Sequence, residues 1–320
     1  MRFLKHALTI ALLAVASLAT HAQDVWPSKP LRVVVPFPPG APGDVIARLM
    51  QPSLQQAFKQ PVIIENKPGA SGNIGMVEVL RAADEHTVLL GVDTMLTINP
   101  YIYKKLSIKP GEDFVPVTQL ASFSQILVCH ASVGVKTLPE LLALARKQDL
   151  SYASGGAGVP GHLTMEMLLA ATQTRMAHIP YRGPNAAVQD MLGGIVPCGF
   201  LTSPVVSPFI KEGKLVAIAV SGSKRLASHP NVPTVDEAGV RGYDATFSEM
   251  VAMPKGTPTA RVQRLQREIA GILAQPDVRA KLVVLDVEPV ANSPEQAARR
   301  LKDEGVKWGA VVARIGLQVD

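Results

Sequence analysis

The chain has 320 residues, of which 47% are hydrophobic and 18% charged, a composition typical of a globular protein with a substantial core. This length accommodates one large domain or two of ordinary size. Aromatic residues make up only 5%, and the formal net charge of +6 is spread along the chain rather than gathered in basic runs. These features argue against nucleic-acid binding and against an aromatic platform for sugars.

The first 22 residues have the three parts of a secretory signal. Arg2 and Lys5 form a short basic region, Ala7 to Leu18 is an uncharged apolar run, and small residues precede the position after Ala22. We therefore expect cleavage after Ala22 and a mature protein that is soluble in the periplasm. The alternative, a membrane anchor, is disfavoured because a spanning helix needs about 20 apolar residues.

Strand-like and helix-like patterns alternate after the signal. Leu31–Pro36 is continuously apolar and β-branched, as expected of a parallel strand buried on both faces. Asp44 is a candidate N-cap for the next helix, and Pro52 should kink that helix or end it early. The following segments are predicted as strand, helix and strand in turn: Pro61–Asn66, Ile74–Ala83 and Thr87–Val92. This order implies a parallel sheet with helices on both faces.

A second strand–helix series begins near Val117, and the tail from Pro258 onward is mostly helical. One sheet holding every strand would exceed the usual size of a twisted open sheet, so two α/β lobes are the simpler prediction. The chain would cross between the lobes at Val117–His130 and return at Ala245–Met253. The predicted division is a signal peptide over 1–22, lobe 1 over 23–123 plus 246–320, and lobe 2 over 124–245.

Proline and glycine dominate the loop Phe37–Asp44, which joins a strand end to a helix start. Ligands of open α/β sheets bind at this edge, and a helix N-terminus there adds partial positive charge. Bare backbone leaves N–H groups free to face a crevice, which favours an anion site. The alternative is a plain tight connection between the two elements.

The segment Gly156–Gly161 fits the pattern GxGxxG between a predicted strand and a predicted helix. No acidic residue ends the next strand; Tyr181 and Arg182 stand there instead. An arginine suits a 2′-phosphate, so an NADP-linked enzyme is one alternative. An exported chain favours the other, an anion site for a smaller group, with His162 in the first helical turn.

Catalytic and metal patterns are missing from the sequence. There is no GxSxG elbow, Walker lysine, HExxH motif or metal-ligand spacing, so we expect a protein that is not an enzyme and holds no metal. Cys129 and Cys198 both lie in apolar, strand-like runs. Export permits a disulfide between them, but two separate buried thiols are the favoured interpretation.

Seven separate motifs together resemble one protein family. They are VVVPFPPGAPGD, VIIENKPGASGNIG, INPYIYKKL, DFVPVTQLAS, LSYASGGAGVPGHL, HIPYRG and NVPTVDEAG, in this order. Across essentially the whole mature chain they resemble the substrate-binding receptors of tripartite tricarboxylate transporters, the Bordetella uptake receptor type. The resemblance implies a periplasmic binding protein fold, the type II-like Venus flytrap, whose lobes are mostly parallel sheets flanked by helices. It also implies a protein without a cofactor.

The family's ligands are small carboxylates, held mostly by backbone groups and bridging waters from two facing loops. The resemblance therefore implies the following ligand-binding residues here: Phe37, Pro38, Pro39, Gly40, Ala41, Gly43, Asp44, Asp93, Thr94, Gly156, Ala157, Gly158, Val159, Gly161, His162, Tyr181, Leu201 and Thr202.

Two of these positions depart from the family pattern. Leu201 and Thr202 replace a frequent Asp-Asn pair that would suit a ligand amine, which argues against an amino-acid ligand. Asp93 replaces a small hydroxyl residue. If Asp93 faces the cleft, it repels a second carboxylate and favours a hydroxyl or an amine on the ligand. If Asp93 faces solvent, it has no bearing on the choice of ligand.

We expect, then, a monomeric periplasmic receptor that closes its lobes on a small carboxylate and passes it to the membrane subunits of a tripartite transporter. A co-receptor that presents its ligand to a sensor protein is the alternative within the same fold. The NADP-linked enzyme is the alternative from another class.

Overall fold

The structure is a computed structural model that describes residues 26–319, so the predicted signal peptide and its cleavage after Ala22 lie outside the described residues. The strands are β1 (Leu31–Val35), β2 (Val62–Asn66), β3 (Thr87–Val92), β4 (Phe114–His130), β5 (Ser151–Ser154), β6 (Ala177–Pro180), β7 (Cys198–Thr202), β8 (Leu215–Val220), β9 (Thr246–Pro254) and β10 (Glu288–Pro289).

The helices alternate with the strands in the first two thirds of the chain and follow them in the last. They are α1 (Pro42–Phe58), α2 (Asn73–Ala82), α3 (Thr94–Thr97), α4 (Asn99–Ile102), α5 (Pro110–Asp113), α6 (Leu138–Ala145), α7 (Pro160–Thr172), α8 (Pro184–Leu192), α9 (Ser203–Lys211), α10 (Thr259–Leu273), α11 (Pro276–Val284) and α12 (Pro294–Ile315). Short 3₁₀ turns occupy Ala70–Gly72 and Ala131–Val133.

All ten strands form one hydrogen-bonded mixed sheet, in the order β2-β1-β3-β9-β4-β7-β5-β6, with β8 and β10 each paired to β4. In the first half, β1 lies between β2 and β3 and is parallel to both. In the second half, β5 lies between β6 and β7 and is parallel to both. Parallel β-α-β units therefore build both halves, as the sequence predicts.

Strand β4 belongs to both halves of the sheet. Its residues Phe114–Ser124 pair with β9, whereas Gln125–His130 lie between β7 and β8. The two predicted sheets are thus one sheet that shares a strand. The predicted lobe boundary at residues 123 and 124 lies where β4 changes partners, and the division into two moving lobes stays a prediction.

The core lies on both faces of this sheet. Every residue of β3 is buried, because α2 covers one face of the parallel strands and α1 covers the opposite face. At the C-terminal end, α12 packs on β4, and its buried Trp308 stacks on Phe247 of β9 with ring centroids 5.2 Å apart. No helix within residues 26–319 is long and apolar enough to cross a bilayer.

Helix α1 departs from the sequence prediction at two positions. It begins at Pro42, with Ala41 as N-cap, so Asp44 is a residue of its first turn rather than its cap. Proline is favoured at the first helical position because its missing N–H has no partner there in any case. The helix also continues through Pro52, which lies on the exposed face, where water can solvate the carbonyl of Arg48 that loses its donor.

The expectation of two separate thiols is wrong. Cys129 of β4 and Cys198 of β7 lie directly opposite each other in the antiparallel ladder, with their Cα atoms 4.1 Å apart, and form a disulfide. The sequence could not show this pairing, because the two residues are 69 positions apart and only the strand register brings them together.

Candidate functional site

Three loops meet at the carboxyl ends of the parallel strands. The first loop (residues 37–44) follows β1, the second loop (residues 155–162) follows β5, and the third loop (residues 181–183) follows β6. They line a cleft between the two halves of the sheet. In open α/β sheets this edge is where ligands bind.

Backbone and apolar side chains make up most of the cleft wall. The lining residues are Phe37, Ala41, Pro42, Gly43, Val92, Phe123, Gln125, Gly155, Val159, Pro160, Gly161, Gly183, Pro184, Phe200, Leu201, Thr202 and Glu249. Among these described residues there is no Lys, Arg or His. Three helices, α1, α7 and α8, begin at lining prolines, so three helix N-termini, each with partial positive charge, border the same space.

Asp44 fixes the shape of the first loop from behind. Its carboxyl accepts hydrogen bonds from the Gly40 amide at 2.9 Å, the Asn66 side chain at 3.0 Å and the Arg48 guanidinium at 3.0 Å. Asn66 also donates to the carbonyl of Phe37. Burial opposes ionisation of Asp44, but these hydrogen bonds outweigh it and lower the pKa of the carboxyl. The loop is therefore held by an ionised group that points away from the cleft.

The second loop is fastened at both ends. A Cβ on Gly161 would collide with the carbonyl oxygen of Phe200 in β7, so only glycine allows α7 to start this close to the sheet. The amide of Gly158 donates to Nδ1 of His162 at 2.9 Å, and the His162 ring stacks on His178 at 3.8 Å between centroids. Burial, and then the neighbouring His178, lower the pKa of His162 to about 3, so this imidazole is neutral.

Contacts between the halves bring the loops together. Ser71, after β2, donates a hydrogen bond to the carbonyl of Ala157 in the second loop. A Cβ on Gly183 would lie 3.4 Å from Cγ of Pro38, so the first and third loops are in van der Waals reach. The loops predicted from sequence thus lie on opposite walls of one cleft.

The predicted site residues divide into three groups. Phe37, Ala41, Gly43, Val159, Gly161, Leu201 and Thr202 line the cleft. Pro38, Gly156, Ala157 and Tyr181 line an adjoining opening, and Gly40 borders a separate space beside Thr202. Pro39, Asp44, Asp93, Thr94, Gly158 and His162 line neither the cleft nor its opening. Whether the lining residues bind ligand stays a prediction.

Asp93 lies behind the cleft rather than in it or in solvent. Its side chain is buried at 2% exposure, and neither carboxyl oxygen has a hydrogen-bond partner among the described residues. Burial, and then Glu304 of α12, raise its pKa to about 7. Its amide donates to the carbonyl of Ser248 at 2.8 Å, next to Glu249 on β9. Asp93 is therefore a buried carboxyl behind the cleft wall and not a lining residue.

Sequence reasoning missed Glu249, the one acidic side chain in the lining. It pairs with Val92 across β3 and β9, is 4% exposed, and its Oε2 has no hydrogen-bond partner within residues 26–319. Burial, and then Asp93, raise its pKa to about 8. The signal was available: Glu249 interrupts the apolar strand pattern Ala245–Pro254. Gln125, Phe123 and Phe200 were missed because they lie within strands rather than in loops.

The fold and the cleft define an α/β protein of the periplasmic binding class, and comparison with known proteins agrees. The family model "Tripartite tricarboxylate transporter family receptor" matches residues 46–317. Protein BugT of Bordetella pertussis is 32% identical over 300 residues, which cover 92% of each chain. Rpa4515 of R. palustris, solved with adipate, has a TM-score of 0.87 at 30% identity, over 92% of this chain and 99% of that one.

A further solved structure supports the same assignment to the periplasmic binding class. MatC of Rhodopseudomonas palustris, with bound malate, has a TM-score of 0.84 at 29% identity, over 90% of this chain and all of the other. The chain belongs to the tripartite tricarboxylate transporter receptor family of periplasmic solute-binding proteins.

Proposed function

We propose that this protein is a periplasmic receptor that captures a small carboxylate in the cleft and hands it to the membrane subunits of a tripartite tricarboxylate-type transporter. One observation carries the proposal: two bare-backbone loops from opposite halves of the sheet face each other across one cleft that has no cationic side chain in its lining. In such a site, N–H groups and helix N-termini are the groups available to hold an anion.

The relatives support a carboxylate as the anion. Adipate and malate are the ligands of the two solved relatives from Rhodopseudomonas palustris. A hydrogen bond to a charged group contributes about 1.5–3 kcal/mol, and a helix terminus about 0.3–1 kcal/mol. Four such bonds and two termini contribute about 7–14 kcal/mol before the cost of closure and of lost ligand freedom, which takes back several kcal/mol. The net is compatible with the roughly 8 kcal/mol of micromolar binding, even without a salt bridge.

Ligand capture proceeds by closure of the two predicted lobes. The register of β4 shifts beside β9 and again beside β8, and its partners change at Ser124 and Gln125. The chain returns next to this point, where Thr246 opens β9 opposite Ser124. Closure about two adjacent crossing strands is a hinge motion, and a ligand that touches both loops stabilises the closed form.

A thermal-shift screen tests the proposal. Purified mature protein should gain thermal stability with at least one small carboxylate and none with NADP or NADPH, because ligand that binds only the folded state raises its stability. The same carboxylate should reduce the radius of gyration in small-angle X-ray scattering. Stabilisation by the nucleotides alone would overturn the receptor function, and an unchanged radius with ligand bound would overturn closure.

A further inference from the structure

We infer that Glu249 selects the ligand: the cleft takes a small carboxylate that also carries an ammonium group, with the ammonium on Glu249 and the carboxylate on the two loops. This inference rests on the proposed receptor function and narrows its ligand class. Glu249 is an unpartnered carboxyl in a largely apolar cleft.

Glu249 lines the cleft, and one oxygen of its buried carboxyl is left unsatisfied. The residue is 4% exposed, lines the cleft, and has an Oε2 without a hydrogen-bond partner in the described part of the chain. A Cβ on Gly43 would lie 2.9 Å from this oxygen, so the glycine leaves the carboxyl its space at the start of α1. A buried polar group without a partner costs free energy that a ligand can recover.

The charges around Glu249 favour a cation on the ligand. Asp93 lies behind it and Glu304 lies beyond Asp93, so the groups that face this region from β3 and α12 are mostly acidic. Arg300, a cation that acts on Asp93, is engaged by the Ser248 hydroxyl and by Glu304. The site lacks a positive charge that an ammonium group would supply.

Other ligand groups suit the Glu249 end of the cleft less well than an ammonium group does. A second carboxylate would meet two buried acids and few donors, which is unfavourable in a site of low dielectric constant. A hydroxyl group donates one hydrogen but brings no charge, so it leaves Glu249 in its protonated form. An ammonium group provides three donors and the charge that allows Glu249 to ionise.

The two residues at the end of β7 that differ from the family pattern fit this arrangement. Leu201 and Thr202 stand where the family often carries an acid that would suit an amine, and they line this cleft without one. The cleft nevertheless contains a carboxyl, on β9 instead of β7. Between the loops and Glu249 the walls are apolar, with Phe37, Phe123 and Phe200 among them, so an unsubstituted hydrocarbon body fits the middle of the ligand.

Calorimetry with a matched ligand series tests the inference. The probes share one chain length and differ at one end: pentanoate, 5-hydroxypentanoate, 5-aminopentanoate and glutarate, with the four- and six-carbon series and norvaline to cover other spacings. At least one amino compound should bind about tenfold or more tightly than its counterparts. Because binding requires ionised Glu249, its affinity should rise about tenfold from pH 6 to pH 7 and level off above pH 8, whereas the affinity of pentanoate should stay flat.

Two variants separate the ligand role of Glu249 from a structural one. Glu249→Gln keeps the shape and should abolish the preference for the amine while it retains binding of the simple carboxylate. Asp93→Asn, which leaves the Glu249 carboxyl in place, should keep the preference and move the rise in affinity to lower pH. If Glu249→Gln does not fold, the ligand series and the pH profile of the wild type decide.

The results against the inference are specific. Tighter binding of glutarate, with affinity that falls as pH rises, would mean that protonated Glu249 donates to a second carboxylate, and would overturn the inference. Equal affinity for every amino compound, norvaline included, and its unsubstituted counterpart would overturn it as well and leave the receptor function standing. If none of these probes binds although the thermal-shift screen finds another small carboxylate that does, the inference fails and the receptor function stands.

Discussion

The carboxyl of Asp44 accepts a hydrogen bond from the amide of Gly40 at 2.9 Å, which joins the first turn of α1 to the tip of the first loop. Arg48 and Asn66 complete the arrangement from the neighbouring turn and from the end of β2. The cleft wall formed by Ala41 and Gly43 therefore depends on a side chain that does not line the cleft.

Asp44→Asn should destabilise the protein by about 1–3 kcal/mol and weaken binding of a carboxylate, because it removes charge-assisted hydrogen bonds behind the first loop. The pKa of Asp44 is lowered in the folded state, so its contribution is present above the ordinary value of about 3.9 and is lost as pH falls below it. Denaturant unfolding should show a larger difference between wild type and variant at pH 7 than at pH 3.

Asp84→Asn is the matched control for this change. Asp84 also has a lowered pKa, through hydrogen bonds that outweigh its burial, but it pairs with Lys29 away from the cleft. The control should change stability and leave carboxylate affinity as in the wild type. Equal loss of affinity in both variants would show that Asp44 has no special role in the first loop.

Gly161→Ala should reduce both stability and carboxylate affinity. The added methyl group meets the carbonyl of Phe200, a backbone atom that cannot rotate away, and forced overpacking costs about 1–3 kcal/mol. Gly271→Ala is the control, since a Cβ at this position in α10 meets nothing within 4 Å, and alanine is the better helix former. Gly161→Ala should lower both the midpoint of thermal unfolding and the carboxylate affinity measured by calorimetry. Gly271→Ala should raise that midpoint or leave it unchanged, and should keep the affinity of the wild type. A Gly161→Ala protein as stable as wild type would contradict the close approach of α7 to Phe200.

Much of this architecture follows from local sequence patterns. The buried run at Leu31–Val35 and the proline–glycine loops after β1 and β5 specify parallel strands with bare connections, and these patterns need no knowledge of tertiary contacts. The strands that form β3 and β9 were predicted within a residue or two of their ends. The lining of the cleft by both loops followed from the rule that ligands meet the carboxyl edge.

The features that local sequence patterns do not predict depend on strand register and on long-range packing. The Cys129–Cys198 pairing requires knowledge of which strand lies beside β4 and at which offset. Glu249 reaches the cleft only because β9 inserts between β3 and β4, a position that no local pattern encodes. His162, predicted from its place in a helical turn, instead stacks on His178 in the interior.

This histidine stack should make the protein sensitive to mild acid. Burial lowers the pKa of His178 to about 4, and burial and His178 lower that of His162 to about 3, whereas both are near 6.5 when unfolded. The unfolded state therefore binds more protons below pH 6.5, so stability should fall by about 2–3 kcal/mol between pH 6.5 and pH 5. Denaturant unfolding across this range measures the slope.

The double variant His162→Gln/His178→Gln isolates that contribution. Neither glutamine titrates, so the remaining pH dependence should be much shallower, whatever the absolute stability of the variant. An equally steep slope in the double variant would assign the acid sensitivity to other groups.

The Cys129–Cys198 disulfide should contribute about 2–4 kcal/mol, because it closes a long loop in the unfolded chain. Reductant should therefore lower the melting temperature of the wild type to near that of Cys129→Ala/Cys198→Ala, and should not affect the double variant. The bond joins β4 to β7 within the second half of the sheet, away from the lining of the cleft, so carboxylate affinity measured below the melting transition should be the same in both proteins. Two results together would show that the bond does not form in the exported protein. The melting temperature of the wild type would be the same with and without reductant, and its thiols would react with a maleimide probe on unfolding.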